Sequence, residues 1–291
     1  MSKPTISVII PTLNAEQDLP DLLEALSSQS IEPFEILVID SASNDATIEI
    51  AAQNVLTTVH SIDRASFNHG ATRHEAFLLT SGDYVCFLTQ DAIPANKDYL
   101  ANLIQPLMDD TRIALCSGRQ LPKKDARRFE QLVRGYNYPA ESNVRSLSDV
   151  GRYGIKTFFA SDVCSAYKRD IYLECGGFSS VNTNEDMLMA ARCISAGYKI
   201  AYCAEAMVYH SHNLSLQEQF LQNKAIGVFL ATHQSELLGA KTAGEGVDLF
   251  KTVSLQLFKE KRLRELFSFC LDCFARVSGL YYGKRISPND N

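Results

Sequence analysis

The 291 residues, 46% of them hydrophobic, suffice to bury a substantial core as one large domain or as one domain with an appendage. A formal net charge of −6 argues against nucleic acid as a partner. No run approaches the roughly 20 apolar residues of a membrane span, and Met1 to Pro11 lacks the charged-then-apolar pattern of a secretory leader, so a cytosolic location is expected.

In chain order, Ile6 to Ile10 reads as a strand stopped by Pro11, and Leu19 to Leu26 as a helix. Phe34 to Ile39 is a second strand ending at Asp40, with a helix start at Asn44 to Thr47. A short strand over Leu56 to His60, a helix over Ala71 to Leu79 and a strand over Tyr84 to Leu88 complete an alternation that predicts a parallel sheet covered on both faces. Ligands of such sheets lie at the C-terminal ends of strands, which places Pro11 to Asn14, Asp40 to Ser43 and Gln90 to Ala92 on one rim. Beyond Asn96 come a helix to Met108, a strand near Ile113 to Ser117, and a polar stretch from Lys123 to Arg152 read as loops and short helices. Thr157 to Tyr167 and Lys199 to Tyr202 read as strands, Asp186 to Ala196 as a helix ended by Gly197, and everything from Leu216 onward as helical. The eight cysteines are scattered among apolar residues and read as reduced and buried; Cys270 and Cys273 form a CxxC with no second pair to complete a zinc site.

Asp91 follows an apolar strand and precedes a turn, where its carboxylate can hold a hard divalent cation or merely cap the turn. Asp40, at another strand end, can accept a hydrogen bond from a pyrimidine ring N–H or form a turn. Arg73 can neutralise phosphate or sit in an ion pair. The first loop lacks GxGxxG and nothing matches GxxxxGK[ST], which disfavours hydride transfer and P-loop chemistry. Glu185 and Asp186 open a helix, where the dipole favours carboxylates and where one of them can serve as a general base. His210 and His212 form an HxH on one side of an extended segment, a pattern that serves structure or a metal ion.

Together these parts resemble the family-2 inverting glycosyltransferases of GT-A fold. SVIIPTLN is similar to their opening strand and loop, LVIDSASNDAT to the base-recognition strand, FLTQDA to the DxD-type metal motif, GGF at Gly176 to Phe178 to the turn before the acceptor loop, NED at Asn184 to Asp186 to the base motif, and VYH at Val208 to His210 to the metal histidine. SFNHGATRHEA, FFASDVCSAYKRD and VYHSHNLS look like the bacterial rhamnosyltransferase branch. The resemblance implies an α/β fold: a Rossmann-like mixed sheet with helices on both faces over 1–215, divided into a nucleotide-binding half (1–95) and an acceptor and catalytic half (96–215), plus a C-terminal helical appendage over 216–291. It implies Asp186 as catalytic base; Pro11, Thr12, Asn14, Asp40, Ser41, Arg73 and Gln90 as nucleotide-sugar contacts; and Asp91 with His210 as ligands of Mg²⁺ or Mn²⁺. Asn68, His69, Ser161, Asp162, Glu185 and His212 are candidates for sugar or acceptor contacts. The implied donor is dTDP-L-rhamnose and the implied acceptor a saccharide, lipid-linked, in surface polysaccharide synthesis. A UDP-hexose donor is the nearest alternative, and a non-catalytic sugar-nucleotide-binding subunit is an alternative of another class, because Gln90-Asp91-Ala92 has one carboxylate where many relatives have two or three.

From Lys251 onward eight Lys or Arg face four Asp or Glu, a local excess of +4. Leu263, Leu266, Phe267, Cys270, Leu271, Phe274 and Val277 follow helical spacing between basic flanks. This stripe is expected to pack on the catalytic domain or a second subunit in a homodimer, or to lie on the inner face of the plasma membrane.

Overall fold

The computed structural model describes residues 4–241 and 245–286. Two compact units emerge: Met1–Gln120 with Ala140–His210, and Leu121–Pro139 with Ser211–Asn291. In chain order the elements are β1 (Ile6–Thr12), α1 (Leu19–Ser27), β2 (Glu35–Asp40), α2 (Thr47–Ala52), β3 (Thr57–Ser61), α3 (His69–Leu78), β4 (Tyr84–Leu88), β5 (Ile93–Pro94), α4 (Tyr99–Asp109) and β6 (Ile113–Leu121). There follow α5 (Arg128–Asn137), β7 (Asn143–Arg145), α6 (Val150–Tyr153), β8 (Cys164–Lys168), α7 (Arg169–Glu174), α8 (Glu185–Ser195), β9 (Lys199–Tyr209), α9 (Leu216–Thr232), α10 (Glu245–Lys259) and α11 (Leu263–Arg285).

In the first unit the strands form one mixed sheet in the order β3-β2-β1-β4-β8-β6-β9-β5, with β7 paired to β9. The β1, β2, β3 and β4 pairings are parallel, and β8 runs antiparallel to both β4 and β6. Side chains alternate along each strand, so successive residues of β1 and β4 build different layers. Ile6, Val8, Ile10, Cys86 and Leu88 join the core formed with Leu22 and Leu26 of α1 and Leu103 of α4. On the alternate positions, Phe87 packs edge-on against Tyr167, and Phe178 lies 5.4 Å from Phe87, centroid to centroid. Phe77 of α3 stacks on Tyr172 of α7 at 3.8 Å in the same aromatic layer.

One expectation is corrected. The strand expected from Thr157 begins only at Cys164, because Arg145 turns the preceding segment by donating to the carbonyls of Lys156 at 2.5 Å and Phe159 at 2.7 Å. The polar stretch after Lys123 holds the ten-residue helix α5, whose Phe129 and Val133 are buried. That helix groups with the C-terminal helices, so 121–139 falls in the second unit with the chain from Ser211.

In the second unit Phe129 and Val133 of α5 pack with Val253 and Leu257 of α10 and Phe269 of α11. Helix α11 meets α9 backbone to backbone: a Cβ on Gly279 would lie 2.3 Å from the Phe220 carbonyl oxygen, and one on Gly283 would lie 2.0 Å from that of Lys224. The face of α11 that is buried carries Phe269, Ala275, Gly279 and Gly283, while of the expected apolar stripe Leu263, Phe267, Cys270, Leu271, Phe274 and Val277 stay exposed and only Leu266 is half-buried.

Candidate active site

The parallel register sets Thr12 beside Asp40 at the C-terminal ends of β1 and β2. Asp40 is fully buried; its Oδ1 accepts from Thr12 Oγ1 at 2.9 Å and from Ser43 Oγ at 2.5 Å, and its Oδ2 from the Ser43 N–H at 2.9 Å. Asn14 holds a left-handed backbone (φ 51°), donates its N–H to Ser43 Oγ and accepts from the Asn44 N–H. Gln90 clasps one peptide of the first loop: its Oε1 accepts from the Leu13 N–H at 2.9 Å and its Nε2 donates to the Leu13 carbonyl at 3.3 Å. The structure thus gathers Pro11, Thr12, Asn14, Asp40, Ser41 and Gln90 on one rim, where Asp40 and Gln90 tie loops together. Ser41 Oγ is buried there without a hydrogen-bond partner, an atom a ligand can satisfy.

Asp91 and His210 meet because β5 pairs with the end of β9, Ile93 opposite Tyr209. Asp91 Oδ1 lies 3.5 Å from His210 Nε2, and the two residues are 8% and 7% exposed. Gln120 Nε2 donates to Ser161 Oγ at 2.9 Å, which turns Gln120 Oε1 toward His210 Nδ1 at 3.0 Å. With Nδ1–H donating to Gln120, a neutral His210 ring aims its Nε2 lone pair at the carboxylate, an arrangement a cation between them relieves. A carboxylate oxygen and an imidazole nitrogen are fitting donors for Mn²⁺, and the carboxylate also for Mg²⁺. His212 is exposed and lies two residues farther along the chain, in the second unit.

The third group stands where α3 meets the start of α8. Gly70 allows this approach: its N–H donates to the Val181 carbonyl at 3.0 Å, and a Cβ would strike the Ser179 carbonyl at 1.8 Å. Asn68 caps α3 by accepting from the Ala71 N–H and donates to Asn182 at 2.7 Å, so it holds the two segments together. Arg73 Nη1 lies 2.9 Å from Glu185 Oε1, both side chains 7% exposed, and 3.1 Å from His69 Nδ1. Arg73 is thus engaged by the acidic cluster rather than by the rim around Asp40. Asp162 is buried; Oδ1 accepts from Ser165 Oγ at 2.6 Å and Tyr167 OH at 2.7 Å, while Oδ2 has no hydrogen-bond partner. Its N–H donates to Asp186 Oδ2 at 3.3 Å. Burial, with Glu185 nearby, raises Asp162 to about 6 against the pull of Arg73. Burial, then the charges of Glu185 and Asp162, raises Asp186 well above the usual carboxylate range.

Sequence reasoning missed Gln120, Ser165 and Tyr167. The period of two along a strand puts Ser165 and Tyr167 on one face and could have found them; Gln120 is brought to His210 by strand order alone.

The model of glycosyl transferase family 2 matches residues 7–176. The O-antigen chain rhamnosyltransferase RfbN of Salmonella typhimurium is 40% identical over 96% of this chain and 89% of its own length. WbaN of Salmonella anatum, also an O-antigen chain rhamnosyltransferase, is 38% identical over 97% of this chain and 90% of its own. Among solved structures, the mannosyltransferase PcManGT from Pyrobaculum calidifontis, in complex with GDP-Man and Mn²⁺, superposes with a TM-score of 0.66 at 15% identity, covering 97% of this chain and 87% of that one. The mixed sheet with helices on both faces is the GT-A fold, and the chain belongs to glycosyl transferase family 2.

Proposed function

We propose that this glycosyltransferase moves L-rhamnose from dTDP-L-rhamnose to a lipid-linked saccharide at the cytoplasmic face of the plasma membrane, in the assembly of a surface polysaccharide. Identity of 40% over 96% of the chain to an O-antigen chain rhamnosyltransferase supports the sugar. The transfer chemistry rests on one observation above the rest: Asp186 sits at the first turn of α8 with its proton affinity raised by burial and by two neighbouring carboxylates. Such a carboxylate is a stronger base than one in water. Asp186 takes the proton of the acceptor hydroxyl while that oxygen bonds to C1 of the sugar and the C1–O bond to the diphosphate breaks, so a β-L-rhamnosyl donor yields an α-L-rhamnoside. Asp91 and His210 would hold Mg²⁺ or Mn²⁺, which supplies positive charge to the departing diphosphate. The rim of Thr12, Asp40 and Ser41 receives the base and ribose, with Ser41 Oγ as the ready donor.

Incubation with dTDP-L-rhamnose, metal and candidate saccharide acceptors tests the reading. Release of dTDP is expected to fall by roughly 10²- to 10⁴-fold in Asp186→Ala, the range for loss of a general base, and to lose its response to chelators in Asp91→Ala. Unchanged release in both variants would remove the site assignment. Turnover with a UDP-hexose alone would replace the donor, and donor binding without turnover would make the chain a binding subunit.

A further inference from the structure

Helix α11 presents an uncovered apolar face. Leu263 (62% exposed), Phe267 (65%), Phe274 (73%), Val277 (67%) and Tyr281 (56%) recur, with Cys270, at alternating spacings of four and three residues, over roughly 27 Å at 1.5 Å per residue. The opposite side is committed to α9 through Gly279 and Gly283. Exposed charge gathers only at the ends: Lys259, Lys261, Arg262 and Arg264 before and around the first turn, Lys284 and Arg285 in the last. The carboxylates of this region are otherwise engaged. Glu260 binds Arg128 at 2.8 Å, Asp272 is 3% exposed and binds Arg276 at 2.6 Å, and Glu265 is half-buried.

We propose that this face of α11 docks on an anionic lipid surface, with its aromatic and aliphatic side chains among the acyl chains and its two basic ends on the headgroups. The alternating spacing would also suit a two-helix seam with a second copy. Charge decides against that occupant. A parallel pair sets the basic cluster at Lys259 to Arg264 against itself, and an antiparallel pair sets it against Lys284 and Arg285 of the other copy; no exposed carboxylate of α11 is available to neutralise either. An anionic bilayer meets both ends with opposite charge and accepts the apolar middle. Tyr281 and Tyr282, both exposed beside the basic end, carry the apolar ring and polar tip of residues that settle at headgroup level. No helix of the described residues is long and apolar enough to cross a membrane, so the contact is peripheral.

The inference rests on the reading of a lipid-linked acceptor for its purpose, but its test needs neither donor nor acceptor. Full-length protein is sedimented with vesicles of phosphatidylethanolamine and phosphatidylglycerol, and with vesicles of phosphatidylcholine alone. Pelleting is expected with the first and not the second, weakening as salt rises. Phe267→Ser with Phe274→Ser should abolish it, and Lys261→Glu or Arg264→Glu should each weaken it by about five-fold or more. Circular dichroism and dTDP-rhamnose binding should stay unchanged in all of these variants. Failure to pellet, pelleting that ignores the Phe267/Phe274 pair, or a dimer in sedimentation velocity that the same pair dissolves would each overturn the proposal; the last would assign the face to a second copy. Loss of the rhamnose reading alone would leave lipid binding untouched.

Discussion

Two buried carboxylates live under opposite conditions. Asp40, fully buried at the end of β2, has a donor for each oxygen and closes a turn between two loops. Asp162, equally hidden, has both its donors on Oδ1 and none on Oδ2, and it lies among Glu185 and Asp186. A satisfied buried anion fixes structure and holds its surroundings still. A crowded one keeps a proton or awaits a positive or donating partner, and that is the condition a proton-transfer site requires. The contrast divides the acidic residues singled out in the sequence into those whose oxygens are satisfied by the fold and those the fold leaves crowded.

The comparison breaks most readily at Arg73, the guanidinium that faces the acidic group. Arg73→Ala leaves Glu185 buried without its cation and is expected to destabilise the chain by about 3 to 5 kcal/mol, read as a fall in urea midpoint. Arg73→Ala with Glu185→Gln should recover most of that loss. A cost below about 1 kcal/mol would mean that the pair behaves as a surface contact and that the crowding around Asp162 is not real.

Much of this was legible in the sequence because it is local. Apolar runs alternating with helical patterns mark the strands β1, β2 and β4, and the rule that parallel sheets bind at strand ends places Thr12, Asp40 and Asp91 on a rim. The pairing of Asp91 with His210 came from a family resemblance, and the β5–β9 register supplies its physical reason. What stayed hidden depends on partners distant in the chain. Nothing around Arg73 announces Glu185, which arrives only when Gly70 lets α3 touch the loop before α8. The stretch that holds α5 reads only as loops and short helices because it offers few apolar residues, and the helix's buried face exists only where Val253, Leu257 and Phe269 cover it.

Gln120 sharpens the contrast on the metal side. Its amide, oriented by Ser161, fixes the tautomer of His210, so Gln120→Leu should lower Mn²⁺ affinity by roughly 10- to 100-fold, the range for second-layer partners of a ligating histidine. Titration of the full chain with Mn²⁺, followed by calorimetry, measures it. An unchanged affinity would show that His210 does not ligate or is held by other groups.

A comparable effect at Asp162 is the most direct measure of crowding, because it reads the anion itself. Asp162 ionises at an ordinary 3.8 when unfolded and is raised to about 6 by burial and Glu185 when folded. Below about pH 4 both states carry the proton and the folded chain has its full stability. Between about pH 4 and pH 6 the unfolded chain has released the proton while the folded chain still binds it, so stability falls as pH rises, and it levels off once the folded carboxyl also ionises. Asp186, raised in the same direction, adds a fall of the same sign. Asp162→Asn keeps an oxygen for Ser165 and Tyr167 and removes the charge. Urea unfolding should show a flatter pH profile in this variant and a gain on the order of 2 kcal/mol at pH 7. A variant less stable than the parent at pH 7 would show that the Asp162 anion is welcomed where it sits, as Asp40 is, and would erase the distinction between the two carboxylates.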